Sequence, residues 1–148
     1  LPVPHYNLGN VLRESGRLAE AVAAYADAIA CSPGYADAHF NLALSLRMLG
    51  RNEAAAESYR HAASLYKAPA RALNNLGTTL RVLRRQDEAA AAFRAAIAAD
   101  PAYADPLYAL ARIYRRQGRV ADADAALAAF AARRQAQTRA AAGAASKP

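Results

Sequence analysis

Few side chains in this sequence have the type and spacing that catalysis or metal binding requires. A zinc site needs four ligands at about 2 Å, whereas the histidines and the single cysteine are spread over separate segments. His5 and His39 stand far apart in the chain at positions where packing is expected, and His61 is isolated. Cys31 stands at an apolar position near the end of a predicted helix, which predicts a buried, unreactive thiol. We therefore predict no enzymatic activity, no metal and no cofactor.

Asparagine recurs at a fixed interval, which gives the first indication of a binding surface. The distance along the chain from Asn7 to Asn41 is the same as that from Asn41 to Asn75, and Ala109 follows at the same interval. Asparagine is a poor helix former, so its repeated use inside a helix needs a reason. A carboxamide has both a donor and an acceptor, and it can pair with the backbone of another chain regardless of that chain's sequence. The row therefore predicts contact with an extended peptide, and a solvated polar face is the alternative.

Arginine recurs at the same interval as asparagine, which we call the repeat interval. The row consists of Arg13, Arg47, Arg81 and Arg115. The same helices also carry Arg71, Arg112 and Arg116, opposed by Glu14, Asp37 and Asp105. This excess of positive charge favours an acidic or phosphorylated segment as the ligand. The alternative is that the arginines of the row pair with carboxylates of the same chain.

A third row is aromatic in three of its four positions. It consists of Tyr6, Phe40, Asn74 and Tyr108. Aromatic side chains supply contact area for the apolar side chains of a partner. Packing against the next helical unit of the same chain is the competing interpretation.

The repeat interval also defines the elements that must position these rows. It divides the chain into the frames 2–35, 36–69, 70–103 and 104–137. Each frame has two stripes of apolar residues at spacings of three and four, which predicts two amphipathic helices. Gly16, Gly50 and Gly118 are expected to end the first helices, and Pro33 and Pro101 follow the second helices.

This pattern resembles the tetratricopeptide repeat, whose signature is W-x2-L-G-x2-Y followed by A-x3-F, A and P within about 34 residues. The resemblance covers residues 2–137 and implies an all-α fold, a right-handed α-solenoid of four helix-turn-helix repeats with about eight helices. It also implies that the first helix of each repeat lines a concave groove. The fourth repeat departs from the signature at Phe130 and Gln135, which is typical of a terminal cap. Residues 138–148, rich in alanine, are predicted to be a frayed helix end or a linker.

Two short motifs connect the chain to particular branches of this family. The sequence Asn-Leu-Gly at residues 7–9 and 75–77 resembles the asparagine ladder in the tetratricopeptide region of O-linked N-acetylglucosamine transferases, including bacterial proteins of that type. The carboxylate clamp of heat-shock chaperone adaptors is matched at Asn10, Asn41 and Arg71. However, Tyr6 and Asn75 stand where that clamp has a lysine and an arginine. The resemblance to the clamp is therefore partial.

Composition and charge limit the class of protein. The 148 residues are 55% hydrophobic, largely alanine, with a formal net charge of +7. One domain is expected, and no run reaches the roughly 18 apolar residues of a membrane span. The beginning of the chain has no initiator Met and no signal peptide, which favours an excerpt of a longer protein. We predict a cytoplasmic location, with the periplasm left open, and we expect no nucleic acid partner because carboxylates are interspersed among the arginines.

The leading functional prediction is a protein–protein interaction module that holds an extended, acidic peptide segment in the concave groove. The alternative is the substrate-recognition arm of a larger, glycosyltransferase-like enzyme whose catalytic domain lies outside this chain. The residues predicted to line the groove, called the groove set below, are Tyr6, Asn7, Asn10, Arg13, Phe40, Asn41, Arg47, Arg71, Asn75, Arg81, Tyr108, Arg112 and Arg115.

Overall fold

The computed structural model describes residues 1–147, which form eight α-helices and no strand. The helices are α1 (Pro2–Glu14), α2 (Leu18–Cys31), α3 (Ala36–Met48), α4 (Asn52–Leu65), α5 (Ala70–Val82), α6 (Gln86–Ala99), α7 (Asp105–Arg116) and α8 (Val120–Ala145). Each repeat frame contains one helix pair joined by a short turn. The prediction of an all-α solenoid of helix pairs is confirmed.

The turn inside each repeat requires one residue with left-handed backbone. Gly16, Gly50 and Gly118 adopt φ angles of 76°, 76° and 72°, a conformation that glycine takes without a steric penalty. In the first repeat the next amide, that of Arg17, donates to the carbonyl of Leu12 at 2.8 Å. This bond satisfies a carbonyl at the end of α1 and fixes the angle at which α2 begins.

The two helices of a repeat pack closely because a small residue on the first faces an aromatic ring on the second. Tyr25, Tyr59 and Phe93 occupy equivalent positions on α2, α4 and α6, and each has no exposed surface. A Cβ atom added to Gly9 would lie 2.5 Å from Tyr25 Cε1, and one added to Gly77 would lie 2.7 Å from Phe93 Cε1. These glycines therefore allow the helices to approach.

Neighbouring repeats are joined by the first helix of one repeat packing on the second helix of the repeat before it. Thus α3 contacts α2, α5 contacts α4 and α7 contacts α6, while α1 also contacts α3 and α5 contacts α7. Leu76 on α5 is only 6% exposed, whereas the equivalent Leu8 on α1 is 51% exposed because no helix pair covers that side of α1. The first helices therefore converge on one side of the solenoid, which we call the inner face.

The last helix is longer than its repeat frame. α8 continues through residue 137 to Ala145, and the side chains of 138–145 are exposed. Near the end of the frame, Gln137 Nε2 donates to the carbonyl of Ala102 at 3.1 Å, which ties α8 to the turn before α7. Residues 138–145 thus extend α8, and Pro148 lies outside the described residues.

The prediction that Cys31 is buried is wrong, because its side chain is exposed. The buried stripe of α2 ends at Ala28, and Cys31 is the last residue of the helix. Beyond it the chain turns toward α3, so no neighbouring helix covers the thiol.

Candidate functional site

The structure divides the groove set into three groups by exposure. The exposed members are Asn7, Arg71, Tyr108, Arg112 and Arg115. The half-buried members are Tyr6, Asn10, Arg13, Asn41, Arg47, Asn75 and Arg81. Phe40 is buried, with 7% of its surface exposed. Only part of the set can therefore meet a partner without rearrangement.

Asn41 takes part in a hydrogen-bond network that links the first two repeats. Its Nδ2 donates to the Tyr6 hydroxyl at 2.9 Å and to Asn10 Oδ1 at 3.1 Å. Asn10 Oδ1 also accepts a hydrogen bond from the Tyr25 hydroxyl at 2.8 Å. The network connects α1, α2 and α3, so Asn41 contributes to repeat packing.

Asn75 has different surroundings although it occupies the same repeat position. Asn41 has Tyr6 and Asn10 as its partners in the preceding repeat. The equivalent residues in the repeat before Asn75 are Phe40 and Leu44, and their side chains have no polar atom. The Asn75 Nδ2 therefore turns back and donates to the carbonyl of Arg71 at 3.0 Å. Asn7 is exposed, and its side chain forms no hydrogen bond within residues 1–147. The three asparagines are thus in three different environments.

The members of the arginine row differ in whether a carboxylate lies near them. Arg115 pairs with Asp124 at 2.9 Å, and Arg13 approaches Glu14 at 3.9 Å. No carboxylate lies within 4.0 Å of Arg47 or Arg81 in the described part of the chain. Local pairing, one of the two interpretations of the row, therefore holds for Arg115 but not for Arg47 and Arg81.

The arginine side chains on the first three repeats lie partly inside the solenoid. The Nε atoms of Arg13, Arg47 and Arg81 are buried and have no hydrogen-bond partner within residues 1–147. Burial raises the pKa of Tyr25 above its usual value, and the nearby Arg13 guanidinium offsets part of that effect. Burial raises the pKa of Tyr59 in the same way, with Arg47 as the offsetting charge.

Packing accounts for much of the aromatic row. Phe40 meets Tyr59 edge to face with ring centres 5.5 Å apart. Tyr6 lies 4.9 Å from Tyr35 between ring centres. Tyr108 is the exposed member of the row, with 49% of its surface accessible. It is therefore the aromatic residue of the groove set that is available to a partner.

Arg71 is an exposed cation in the first turn of α5. Its guanidinium carbon lies 4.8 Å from the centre of the Phe40 ring, and no carboxylate is within 4.0 Å of it among the described residues. It borders two adjacent clefts. One of about 210 Å³ is lined by Asp37, Phe40, Tyr66, Ala68, Arg71 and Ala72. The other, of about 420 Å³, is lined by Ala68, Ala70, Arg71, Ala99, Asp100 and Tyr103.

Sequence reasoning missed the two tyrosines that form the walls of these clefts. The Tyr66 hydroxyl donates to Asp37 Oδ1, and the Tyr103 hydroxyl accepts from Asn74 Nδ2 at 3.1 Å. Burial raises the pKa of both tyrosines, and the Asp37 carboxylate raises that of Tyr66 further. Tyr103 could have been found from its recurrence, because Tyr35 lies two intervals before it. Tyr66 has no such counterpart.

The histidines are distributed without a metal-binding geometry. His39 Nε2 lies 2.9 Å from the carbonyl oxygen of Pro33, and its ring centre is 5.5 Å from that of His61. Within residues 1–147, no three His, Cys, Asp or Glu side chains are grouped as metal ligands. Nor does any helix in that range have the length and apolar character needed to cross a bilayer.

Family models for the tetratricopeptide repeat match residues 6–69, 49–104 and 92–125. The chain belongs to the tetratricopeptide repeat family. No curated protein sequence matches it significantly. Among solved structures, a crystal structure of MamA protein superposes with a TM-score of 0.84 at 23% identity, over 90% of this chain and 73% of that one. MamA from Desulfovibrio magneticus RS-1 gives a TM-score of 0.82 at 19% identity, over 93% and 77%.

A third similar structure contains a bound peptide. The first tetratricopeptide domain of Spaghetti (RPAP3), bound to the HSP90 peptide SRMEEVD, superposes with a TM-score of 0.73 at 18% identity. The alignment covers 79% of this chain and 93% of that one. These likenesses show that the chain has the tetratricopeptide repeat fold.

Proposed function

We propose that this chain is a protein–protein interaction module that binds an extended, acidic peptide segment along its inner face. The fold supports the general role, because the similar domain of Spaghetti (RPAP3) is bound to a peptide. The exposed members of the groove set and the two clefts beside Arg71 support the inner face as the binding surface. The exposed arginines among them support an acidic ligand.

The proposal rests mainly on the exposure of Arg71 and on its lack of an ion-pair partner within residues 1–147. The Arg71 guanidinium also lies over the face of Phe40. Contact with an aromatic face restricts a guanidinium while leaving its N–H groups free, and a fixed fork of N–H groups suits a carboxylate. Arg71 is therefore prepared to bind an acidic side chain or a chain end.

Further contacts are available on either side of Arg71 along the first helices. Asn7 lies on α1 with an uncommitted carboxamide, and Tyr108 and Arg112 are exposed on α7. Neighbouring helices pack about 10 Å apart, and an extended chain covers that distance in about three residues. An extended segment that crosses the first helices would thus present about one side chain in three to each repeat.

The glycosyltransferase-like alternative depends on a continuous asparagine ladder. Asn41 Nδ2 already donates to Tyr6 and Asn10, and Asn75 Nδ2 donates one hydrogen to the carbonyl of Arg71. Asn7 is the member whose carboxamide forms no hydrogen bond within residues 1–147. This arrangement favours an interaction module over a ladder that reads the backbone of a substrate. A nucleotide-sugar-binding domain encoded in the same gene would instead favour the enzyme arm.

Selection from a random peptide library tests the proposal. The wild-type chain is expected to enrich peptides with Asp or Glu, and the variant Asn7→Ala/Arg71→Ala/Tyr108→Ala is expected to lose them. Each substituted side chain is exposed, so circular dichroism should show that the variant folds. Arg94→Ala on the exposed side of α6 removes one positive charge elsewhere and serves as the control. Enrichment that is the same in all three proteins would reject the inner face as the binding surface.

A further inference from the structure

The turn of the third repeat differs from the other three in the residue that takes the left-handed conformation. Gly16, Gly50 and Gly118 take the left-handed position in their turns, but Arg84 takes it in the third with φ of 63°. A side chain with a Cβ is strained in this conformation. Strained residues of this kind cluster at binding sites and switch regions.

Arg84 is one of three arginines that line a single cleft. The cleft has a volume of about 320 Å³, and its walls are formed by Arg81, Val82, Arg84 and Arg116. Arg84 and Arg116 are exposed, and Arg81 is half-buried. The cleft lies at the turn ends of α5 and α7, beside the arginine row of the inner face.

None of these three arginines forms an ion pair within residues 1–147, whereas Arg85, Arg115 and Arg119, which are close to them in the chain, do. Arg85 Nε is 2.7 Å from a Glu88 oxygen, and Arg119 Nε is 2.8 Å from an Asp122 oxygen. Arg115, next to Arg116 in the chain, pairs with Asp124 at 2.9 Å. Glu88, Asp122 and Asp124 are therefore engaged with arginines that do not line the cleft.

A purely structural explanation covers only part of this arrangement. Arg81 and Arg116 lie in the last turns of α5 and α7, where the helix dipole favours a positive charge. Arg84 lies just beyond the end of α5, and it also bears the backbone strain. Three like charges at one cleft also repel one another unless an anion lies between them.

We propose that this cleft binds a phosphate-class oxyanion. A phosphate ester dianion has three terminal oxygens and a charge near −2, so it can accept hydrogen bonds from three guanidinium groups. A carboxylate has two oxygens and a charge of −1, so it matches three guanidinium groups less well. Resting on the proposed function, the natural source is a phosphorylated side chain of the segment bound along the inner face. Arg84 is the residue that distinguishes this turn from the other three.

Titration with inorganic phosphate at constant ionic strength, followed by the NMR signals of the arginine Nε–H groups, tests the site. Signals of Arg81, Arg84 and Arg116 are expected to shift together and to saturate, and acetate should bind more weakly. Arg84→Gly restores the residue of the other turns, so it should fold normally. It is expected to weaken phosphate binding about tenfold, since it removes one charge-assisted contact.

The control is Arg94→Ala, which removes the same unit of charge from an exposed position on α6 outside the cleft. Its phosphate affinity is expected to stay within about twofold of wild type, as for a distant, screened surface charge. Equal affinity in the wild type and Arg84→Gly, or an equal loss in Arg94→Ala, would overturn the proposal. Because the probe is inorganic phosphate, this result does not depend on whether the inner face binds a peptide.

A phosphoserine-containing peptide and a single-stranded oligonucleotide of equal charge then identify the source of the oxyanion. Tighter binding of the phosphopeptide, lost in Arg84→Gly, supports a phosphorylated partner segment. Tighter binding of the oligonucleotide with the same sensitivity to Arg84 would overturn that source.

Discussion

At the scale of single residues, the same repeat position has different partners in different repeats. The Tyr25 hydroxyl donates to Asn10. The equivalent Tyr59 hydroxyl is buried near the Arg47 guanidinium, but it forms no hydrogen bond of normal geometry within the described residues. Leu44 stands where Asn10 stands one repeat earlier, so the acceptor that Tyr25 uses is missing. In the third repeat the position is Phe93, which has no hydroxyl to satisfy. At this position the first repeat has a hydrogen-bonded hydroxyl and the third has none, whereas the second has a buried hydroxyl without a hydrogen bond within residues 1–147.

Tyr59→Phe and Tyr25→Phe are predicted to differ in their effects on stability. Removing the unsatisfied hydroxyl of Tyr59 should leave the free energy of unfolding unchanged or raise it by up to about 1 kcal/mol. Removing the Tyr25 hydroxyl should lower it by about 1 kcal/mol, because a hydrogen bond to Asn10 is lost. Urea denaturation of both variants measures the difference. A larger loss for Tyr59→Phe than for Tyr25→Phe would refute the hydrogen-bond assignment.

The rows of asparagine, arginine and aromatic residues were visible in the sequence, but their partners were not. Asn41 faces Tyr6 and Asn10 across the boundary between repeats, and that contact depends on how one helix pair is rotated against the next. The repeat interval gives equivalent positions, and it does not give the residues that lie opposite them. Asn75 and Asn41 are equivalent in the repeat pattern, but they have different hydrogen-bond partners because Phe40 and Leu44 precede Asn75.

At the scale of helices, close approach inside a repeat depends on the absence of a side chain on the first helix. Gly77→Ala is predicted to destabilise the protein by about 1–3 kcal/mol, because its Cβ would lie 2.7 Å from the buried ring of Phe93 and overpacking forces a shift. Gly143→Ala is the matched control, since nothing lies within 4 Å of its added Cβ. It should cause no loss and gain up to about 1 kcal/mol. Thermal unfolding compares the two variants, and equal behaviour would contradict this explanation of the helix contact.

The repeat frames contain α1 to α7 completely, whereas α8 extends beyond the last frame. The apolar stripes indicate two helices in each frame, and turn glycines follow the first helix in three of the four repeats. The frame also suggested an end near residue 137, but α8 continues to Ala145. Alanine has the highest helix propensity, and no proline or turn sequence intervenes before the end of α8. The high alanine content of residues 138–145 therefore explains why α8 continues past the end of the repeat frame.

At the scale of the whole molecule, burial of tyrosines couples stability to alkaline pH. Burial raises the pKa of Tyr25, Tyr59, Tyr66 and Tyr103, and hydrogen bonding to Asp37 adds to the effect for Tyr66. A folded-state pKa above the unfolded value means that the folded protein holds its phenolic protons longer. The associated stability is complete below the unfolded value of about 10 and is lost as the pH rises beyond it.

The free energy of unfolding is thus predicted to fall above about pH 10. Urea midpoints between pH 8 and the alkaline range measure the fall, and tyrosinate absorbance follows the titration. Tyr66→Phe removes one of the contributing groups, so its curve should fall less steeply than that of the wild type. A wild-type urea midpoint that stays constant well above pH 10 would contradict the raised pKa values.

The central claim, that the inner face around Arg71 binds an acidic extended segment, is tested most directly by one pair of dissociation constants. A selected acidic peptide is titrated into Arg71→Ala and Arg94→Ala, which lose the same charge from the inner face and from α6. About tenfold weaker binding is expected for Arg71→Ala, and a change within about twofold is expected for Arg94→Ala. Equal affinities in the two variants, with both folded as judged by circular dichroism, would contradict the claim.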